Sequence, residues 1–255
     1  MAVVQIVGKK GSKSRKAISD ETGIKLFLGK GKPVAIINYG LAGKKLDQFF
    51  RKYPSARSVP MINKYVGRPK HHAISDAEKA GILVPETKLS LPRLARISDW
   101  IEKKIHSSQG KGIQEATGRG KLLGKYYQKM IKDRRYEIRV HAFLWLPIED
   151  WSLNKRVGPA DQIAWNFHQG GHFQSVRYPN KYQVFLDSKA IAKKVLEDRN
   201  MAFGAVDLIV DNHMKIYFIE VNSSPGFEEL NQGVYVNAFK TLSEMSAREV
   251  RKYAR

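Results

Sequence analysis

Short apolar runs and turn-forming residues alternate along the first part of the chain. Residues 3–7 (VVQIV), 24–28 (IKLFL) and 34–40 (VAIINYG) are bounded by Gly, Lys and Ser, a pattern that predicts strands. Between Leu41 and Tyr53 the apolar residues Leu46, Phe49 and Phe50 fall at helical spacing. Residues 67–84 predict a loop and then a helix, with Ser75 as cap, Glu78 as its capping-box partner and Gly81 as the stop. Pro85 opens an extended stretch, 99–105 alternates like a strand, and a polar glycine-containing loop follows. Residues 122–133 fit helix or strand, whereas 136–146 (YEIRVHAFLWL) is a strong strand and WNFHQGGHF a loop. A helix is expected over 187–200. Two strands, AVDLIVD and KIYFIEV, are joined by Asn212–His213–Met214 as a hairpin, and the last twenty residues predict one helix with a basic end.

That hairpin carries the sharpest chemistry. Residues two apart on a strand share a face, so Glu220 and Asn222 point together and Asp207 can join them from the neighbouring strand. Val206, Leu208, Ile219 and Val221 are expected on the opposite face. Two carboxylates and an amide oxygen make a hard-oxygen set suited to magnesium, with manganese as an alternative, and to metal-bound phosphates. The Ser223–Ser224–Pro225–Gly226 turn adds amides and hydroxyls beside them. In KKIHSSQGKGI, Gly110 and Gly112 let backbone amides approach a phosphate, and a strand lysine supplies a point charge. The segment matches neither G-x-x-x-x-G-K-S/T nor G-x-G-x-x-G. Glu137 and Arg139 alternate onto one strand face. His168 and His172 flank two glycines without a third ligand at zinc spacing.

In order and spacing these segments resemble the ATP-grasp superfamily, and most of all the RimK-type ribosomal-protein glutamate ligases, over about residues 70–235. AEKAGILVPET resembles "G-I-x-x-P-x-T" after a helix, and KKIHSSQGKGI resembles "K-L-x-x-G-T-Q-G-x-G-V". YYQKMI resembles the hinge "V-Q-E-Y-I", YEIRV resembles "x-D-I-R-x", and IAWNFHQGG resembles "R-S-N-L-H-R-G-G". GAVDLIV and FIEVNSSPGFEEL together resemble "A-G-V-D-I-L…M-E-V-N-A-S-P-G-L-E". The resemblance implies an α+β fold with two lobes sandwiching ATP, over 67–130 and 131–240, a C-terminal helix over 236–255, and a short α/β domain over 1–66. It implies a carboxylate–amine ligase that works through an acyl phosphate. Lys103, Gly110, Gly112, Gln128, Met130, Ile131 and Glu137 would hold ATP, with Lys104 replacing Lys103 if the register slips by one. Asp207, Glu220 and Asn222 would hold magnesium, and Arg139 and Asn166 would act at the acyl phosphate. Lys129 stands where the hinge carries an acid, and Ala164 and Gln169 replace two arginines, so the donor carboxylate is left open. A kinase would use the same ATP site, and a nucleic-acid binder with a vestigial site would use the charge alone.

Composition changes the picture in three places. Lys and Arg number 45 against 24 Asp and Glu, a formal charge of +21, which favours an acidic or nucleic-acid partner besides ATP and peptide or small-molecule substrates. Local basic runs lie at residues 9–16 and 129–135. Cysteine is absent, which excludes disulfides and a thiolate nucleophile. Neither an eighteen-residue apolar run nor a secretory pattern is present, so no membrane contact and a cytoplasmic location are expected.

Overall fold

The computed structural model describes residues 3–67, 69–105, 112–121, 123–159, 163, 171–227 and 229–254. Their strands form three sheets. The first is parallel: β1 (Val4–Gly8), β2 (Ala35–Tyr39) and β3 (Met61–Ile62), in that order. Strand β2, apolar but for Asn38, is buried throughout, as a strand covered on both faces should be. Helix α1 (Lys13–Thr22) starts where the Ser12 side chain accepts the Arg15 amide and ends at Gly23, whose φ of 71° suits glycine. Helix α2 (Lys44–Lys52) buries Phe49 and Phe50. The strand expected over 24–28 shrinks to a single bridge between Leu26 and Ile6. Ile24 and Phe27 are buried while Leu26 and Leu28 are exposed, so burial follows a three-residue step that a strand cannot give.

Helix α3 (Lys70–Lys79) begins earlier than expected: Pro69 occupies the cap position and Ser75 lies mid-helix, so the Ser75–Glu78 capping box does not form. Its end is as the sequence suggests. Gly81 has a φ of 73°, its amide bonds to the Glu78 carbonyl, and the Ile82 amide reaches the Ala77 carbonyl, a Schellman closure. The second sheet is antiparallel in the order β4 (Thr87–Lys88), β7 (Lys125–Lys129), β5 (Trp100–Lys104), β6 (Ile113–Glu115). The ambiguous 122–133 segment thus contains a strand, whose Tyr126, Tyr127 and Gln128 are buried.

The third sheet is also antiparallel, ordered β10 (His172–Ser175), β9 (Ser152–Val157), β8 (Arg134–Phe143), β11 (Phe203–Asp211), β12 (Ile216–Asn222). Helix α4 (Gln183–Asp198) covers one face, where Ala192, Val195 and Leu196 share a core with Ile138, Val140, Val206 and Leu208. The C-terminal segment is two helices rather than one, α5 (Glu229–Glu244) and α6 (Ala247–Lys252), because Ser246 and Glu249 form a capping box that starts a new helix. Tyr235, Phe239 and Leu242 of α5 and Val250 of α6 complete a core with Val4, Ile6 and Ile37 of the first sheet. Among the described residues no helix is long and apolar enough to cross a membrane.

Candidate functional site

Register places the functional side chains. Directly paired residues of an antiparallel sheet share a face. Ser175, Asn154, Arg139, Asp207 and Glu220 pair in succession across β10, β9, β8, β11 and β12. They form one polar row across the face opposite α4, which α5 covers only at one end, at a spacing of about 4.8 Å from strand to strand. The neighbouring row holds Phe173, Arg156 and Glu137.

Strict alternation could not have built the β12 end of this row. Ile216, Phe218, Glu220 and Asn222 have the same parity, yet Ile216 and Phe218 lie in the core. The register shifts between Asp207 and Leu208, where Leu208 pairs with Phe218 and Asp207 with Glu220. Ile219 is the extra residue of this bulge. It swaps the faces, sending Val221 to the core and turning Glu220 and Asn222 beside Asp207. Of the apolar set expected behind the site, Val206, Leu208 and Val221 pack into that core, and Ile219 is not part of it.

The row is electrostatically paired. Arg139 donates from Nε to Asp207 Oδ1 at 2.6 Å and from its terminal nitrogen to Oδ2 at 2.7 Å. Burial opposes the charge on Asp207, but Arg139 outweighs it and holds the carboxyl below its ordinary range. Burial likewise opposes charge on Arg139, and Asp207 raises its pKa regardless. The Asn222 amide donates to Asp207 Oδ2 at 3.4 Å and to Glu220 Oε1 at 3.3 Å, so all three converge. Glu137 receives Arg134 at 3.0 Å and Arg156 at 2.7 Å. Burial nevertheless raises its pKa, against both arginines.

The second sheet supplies the opposite wall. Lys103 donates to Gln128 Oε1 at 2.5 Å, and Gln128 donates to Thr87 at 3.3 Å. Burial pushes Lys103 down to about 8, partly countered by Glu220 and Glu137 across the cleft. Lys104, its neighbour in the strand, lies on the other face, where its stem fills the space beside Gly112 (φ 80°). In the segment expected to form the hinge, the Met130 amide is engaged by the Asp99 carbonyl. Ile131, half-buried next to it, has no backbone hydrogen bond from its amide among the described residues. Gly110 and Asn166 lie outside the described residues.

Lys70 was not anticipated. It sits at the start of α3 and meets Glu220 at 2.6 Å. Its only sequence signal was the helix start, which the false cap at Ser75 hid. Also unforeseen are Asn154, Arg156 and Phe173, since β9 and β10 carry no compact motif.

The donor set fits a hard divalent cation. Among the described residues no three His, Cys, Asp or Glu cluster as a metal site. Asp207 and Glu220 are two carboxylates bridged by one amide, and a half-turn of that amide would present its oxygen instead. So few protein oxygens suit magnesium, which keeps waters and substrate phosphates as its other ligands.

No protein-family model matches the chain, and no curated protein matches it by sequence. Its fold does have counterparts. The ATP-grasp ligase PsnB with a minimal precursor superposes with a TM-score of 0.59 at 12% identity, covering 91% of this chain and 94% of that one. The macrocyclase MdnC of Microcystis aeruginosa MRC, bound with precursor peptide MdnA, gives 0.59 at 12%, covering 96% and 100%. Biotin carboxylase of Campylobacter jejuni, in a complex with ATP, gives 0.61 at 13%, covering 96% and 72%. The chain has the ATP-grasp fold, α+β in class.

Proposed function

We propose that this protein is an ATP- and magnesium-dependent carboxylate–amine ligase, forming an amide or peptide bond through an acyl phosphate. The observation that carries the reading is the convergence of Asp207, Glu220 and Asn222 with Arg139 on one sheet, facing Lys103 on the other. The PsnB and MdnC structures hold precursor peptides, which supports peptide substrates here, and the six ordered segments support a RimK-like subtype. On this reading residues 1–66 precede the grasp, residues 67–255 form it, and the protein acts in the cytoplasm.

The residues have separable tasks. Lys103 neutralises the triphosphate from one lobe, and Lys70 adds a second cation at the cleft. Gly110 and Gly112 let the intervening loop approach the phosphates. Gln128 fixes Lys103, while the Met130–Ile131 hinge receives the base and Glu137 the ribose. Asp207, Glu220 and Asn222 would hold magnesium, which neutralises phosphate charge when bound. Arg139, steadied by Asp207, faces the phosphoryl group as it passes from ATP to a carboxylate oxygen, giving ADP and an acyl phosphate; Asn166, outside the described residues, is proposed to act in the same step. The amine then attacks the carbonyl carbon, the carbon–nitrogen bond forms, inorganic phosphate leaves and the amine loses a proton.

The basic charge is uneven: residues 1–66 hold 14 Lys and Arg against three Asp and Glu. This favours an acidic or nucleic-acid partner at that end of the molecule. The deciding experiment is ADP release with candidate peptides and amino acids in the presence of hydroxylamine. A hydroxamate product reports the acyl phosphate; ADP with a stable phosphorylated hydroxyl product and no hydroxamate would identify a kinase instead.

A further inference from the structure

Asn154 is 2% exposed, yet it stands in the polar row directly beside Arg139. Its Oδ1 accepts from His141 Nε2 at 2.8 Å. Because that oxygen can only accept, the proton on the ring must be on Nε2, and Nδ1 is then an acceptor. Tyr235 completes the relay: its hydroxyl lies 2.8 Å from His141 Nδ1, which accepts its proton when Nε2 carries the ring proton. All three side chains are buried. Burial, helped by the nearby Arg139 charge, pushes His141 down to about 3, so at physiological pH the ring is neutral, with one nitrogen a donor and the other an acceptor.

In this arrangement the Asn154 amide turns its oxygen to the ring. Its oxygen is held, so its NH2 is the free end, and among the described residues that NH2 makes no hydrogen bond. Its position shows what it suits. Asp207 and Glu220 make one half of the row acidic, and Arg139 and Asn154 make the next positions donors. Arg139 leans to Asp207, and Asn154 stands on its other flank. An anion over Arg139 would meet the Asn154 donor from that side.

We propose that Asn154 binds an anionic oxygen of the phosphoryl group in transit, with His141 and Tyr235 as positioning residues that lock its amide as a donor. The inference rests on the ligase reading above and adds a contact to it.

The test uses the full chain with ADP, magnesium and tetrafluoroaluminate, a planar anion that stands in for the phosphoryl group, and reads binding by calorimetry. Asn154→Ala should bind ADP with magnesium about as wild type does and lose about ten- to hundredfold in fluoroaluminate affinity, the range for a hydrogen bond to a charged group. Asn154→Asp should lose more, through repulsion. His141→Leu should reproduce the Asn154→Ala loss. His141→Gln, which can still donate to Asn154 and accept from Tyr235, should retain most of the affinity. If His141→Leu does not fold, the two Asn154 variants and His141→Gln still decide. Fluoroaluminate binding by Asn154→Ala equal to wild type overturns the proposal, as does equal loss in His141→Gln and Asn154→Ala. Wild type that binds ADP but no fluoroaluminate overturns it while leaving the nucleotide site standing. Wild type that binds no nucleotide overturns the ligase reading with it.

Discussion

Raising the pH should weaken nucleotide binding through one residue. Lys103 is pushed down to about 8, chiefly by burial, so it is charged below that value and neutral above it. A bound triphosphate stabilises the ammonium and returns its pKa toward the ordinary lysine range. Linkage then makes the apparent dissociation constant grow as the free protein loses this proton. Between pH 7.5 and 9 the growth is about eightfold, approaching tenfold per pH unit beyond. The nucleotide-free protein should show the opposite sign. In the unfolded chain Lys103 keeps its proton to higher pH than in the fold, so its burial is a penalty below about 8 that fades as pH rises. The assay is calorimetric titration with a non-hydrolysable ATP analogue and magnesium at fixed ionic strength. Lys103→Met should bind weakly and lose this pH slope, whereas Lys104→Ala should keep it, because Lys104 faces away. A slope that survives in Lys103→Met would refute the assignment.

Three further outcomes are expected. Glu220→Ala should abolish ADP formation while leaving a folded chain by circular dichroism, since Glu220 is half-exposed and its partners Lys70 and Asn222 can be hydrated. Asp207→Asn should strand Arg139 without its carboxylate; losing one partner of a buried pair costs about 3–5 kcal/mol, a fall in unfolding temperature of about 6–20 °C by calorimetry of the nucleotide-free protein. Gly40→Ala should destabilise the contact between the first sheet and the Ser223–Gly226 turn: φ is +87° and the added methyl would lie 2.3 Å from Ser224 Cβ. A loss of about 1–3 kcal/mol in urea unfolding is the expected size.

Much of the architecture was legible where a local pattern suffices. The long strand through Arg139, the hairpin through Asp207 and Glu220 and the glycine stop of α3 each depend on residues close in sequence. What stayed hidden depends on long-range register. The bulge at Ile219 cannot be read from parity, because it exists only against Asp207 and Leu208 of the partner strand. Helix α3 begins at Lys70 without a side-chain cap, so Ser75 was a plausible but false start. Asn154 and His141 look ordinary in sequence and acquire meaning only when β9 is laid against β8 and Tyr235 arrives from α5. The 24–28 segment misled because apolar content alone does not distinguish a strand from a chain crossing a sheet edge.

The shared core of the first sheet and the last helices has a consequence for how the molecule is made. Val4, Ile6 and Ile37 are synthesised long before the side chains that cover them, Tyr235, Phe239, Leu242 and Val250. Ile62 also pairs with Ala254, and the Tyr39 hydroxyl donates to the Pro225 carbonyl at 2.6 Å. Vectorial folding is therefore closed off for this region. The nascent first sheet must wait, with apolar strands uncovered, until α5 and α6 have left the ribosome. Such long sequence separation slows folding and prolongs exposure to aggregation. Loss of α5 and α6 would thus be felt first in β1 and β2, far away in sequence.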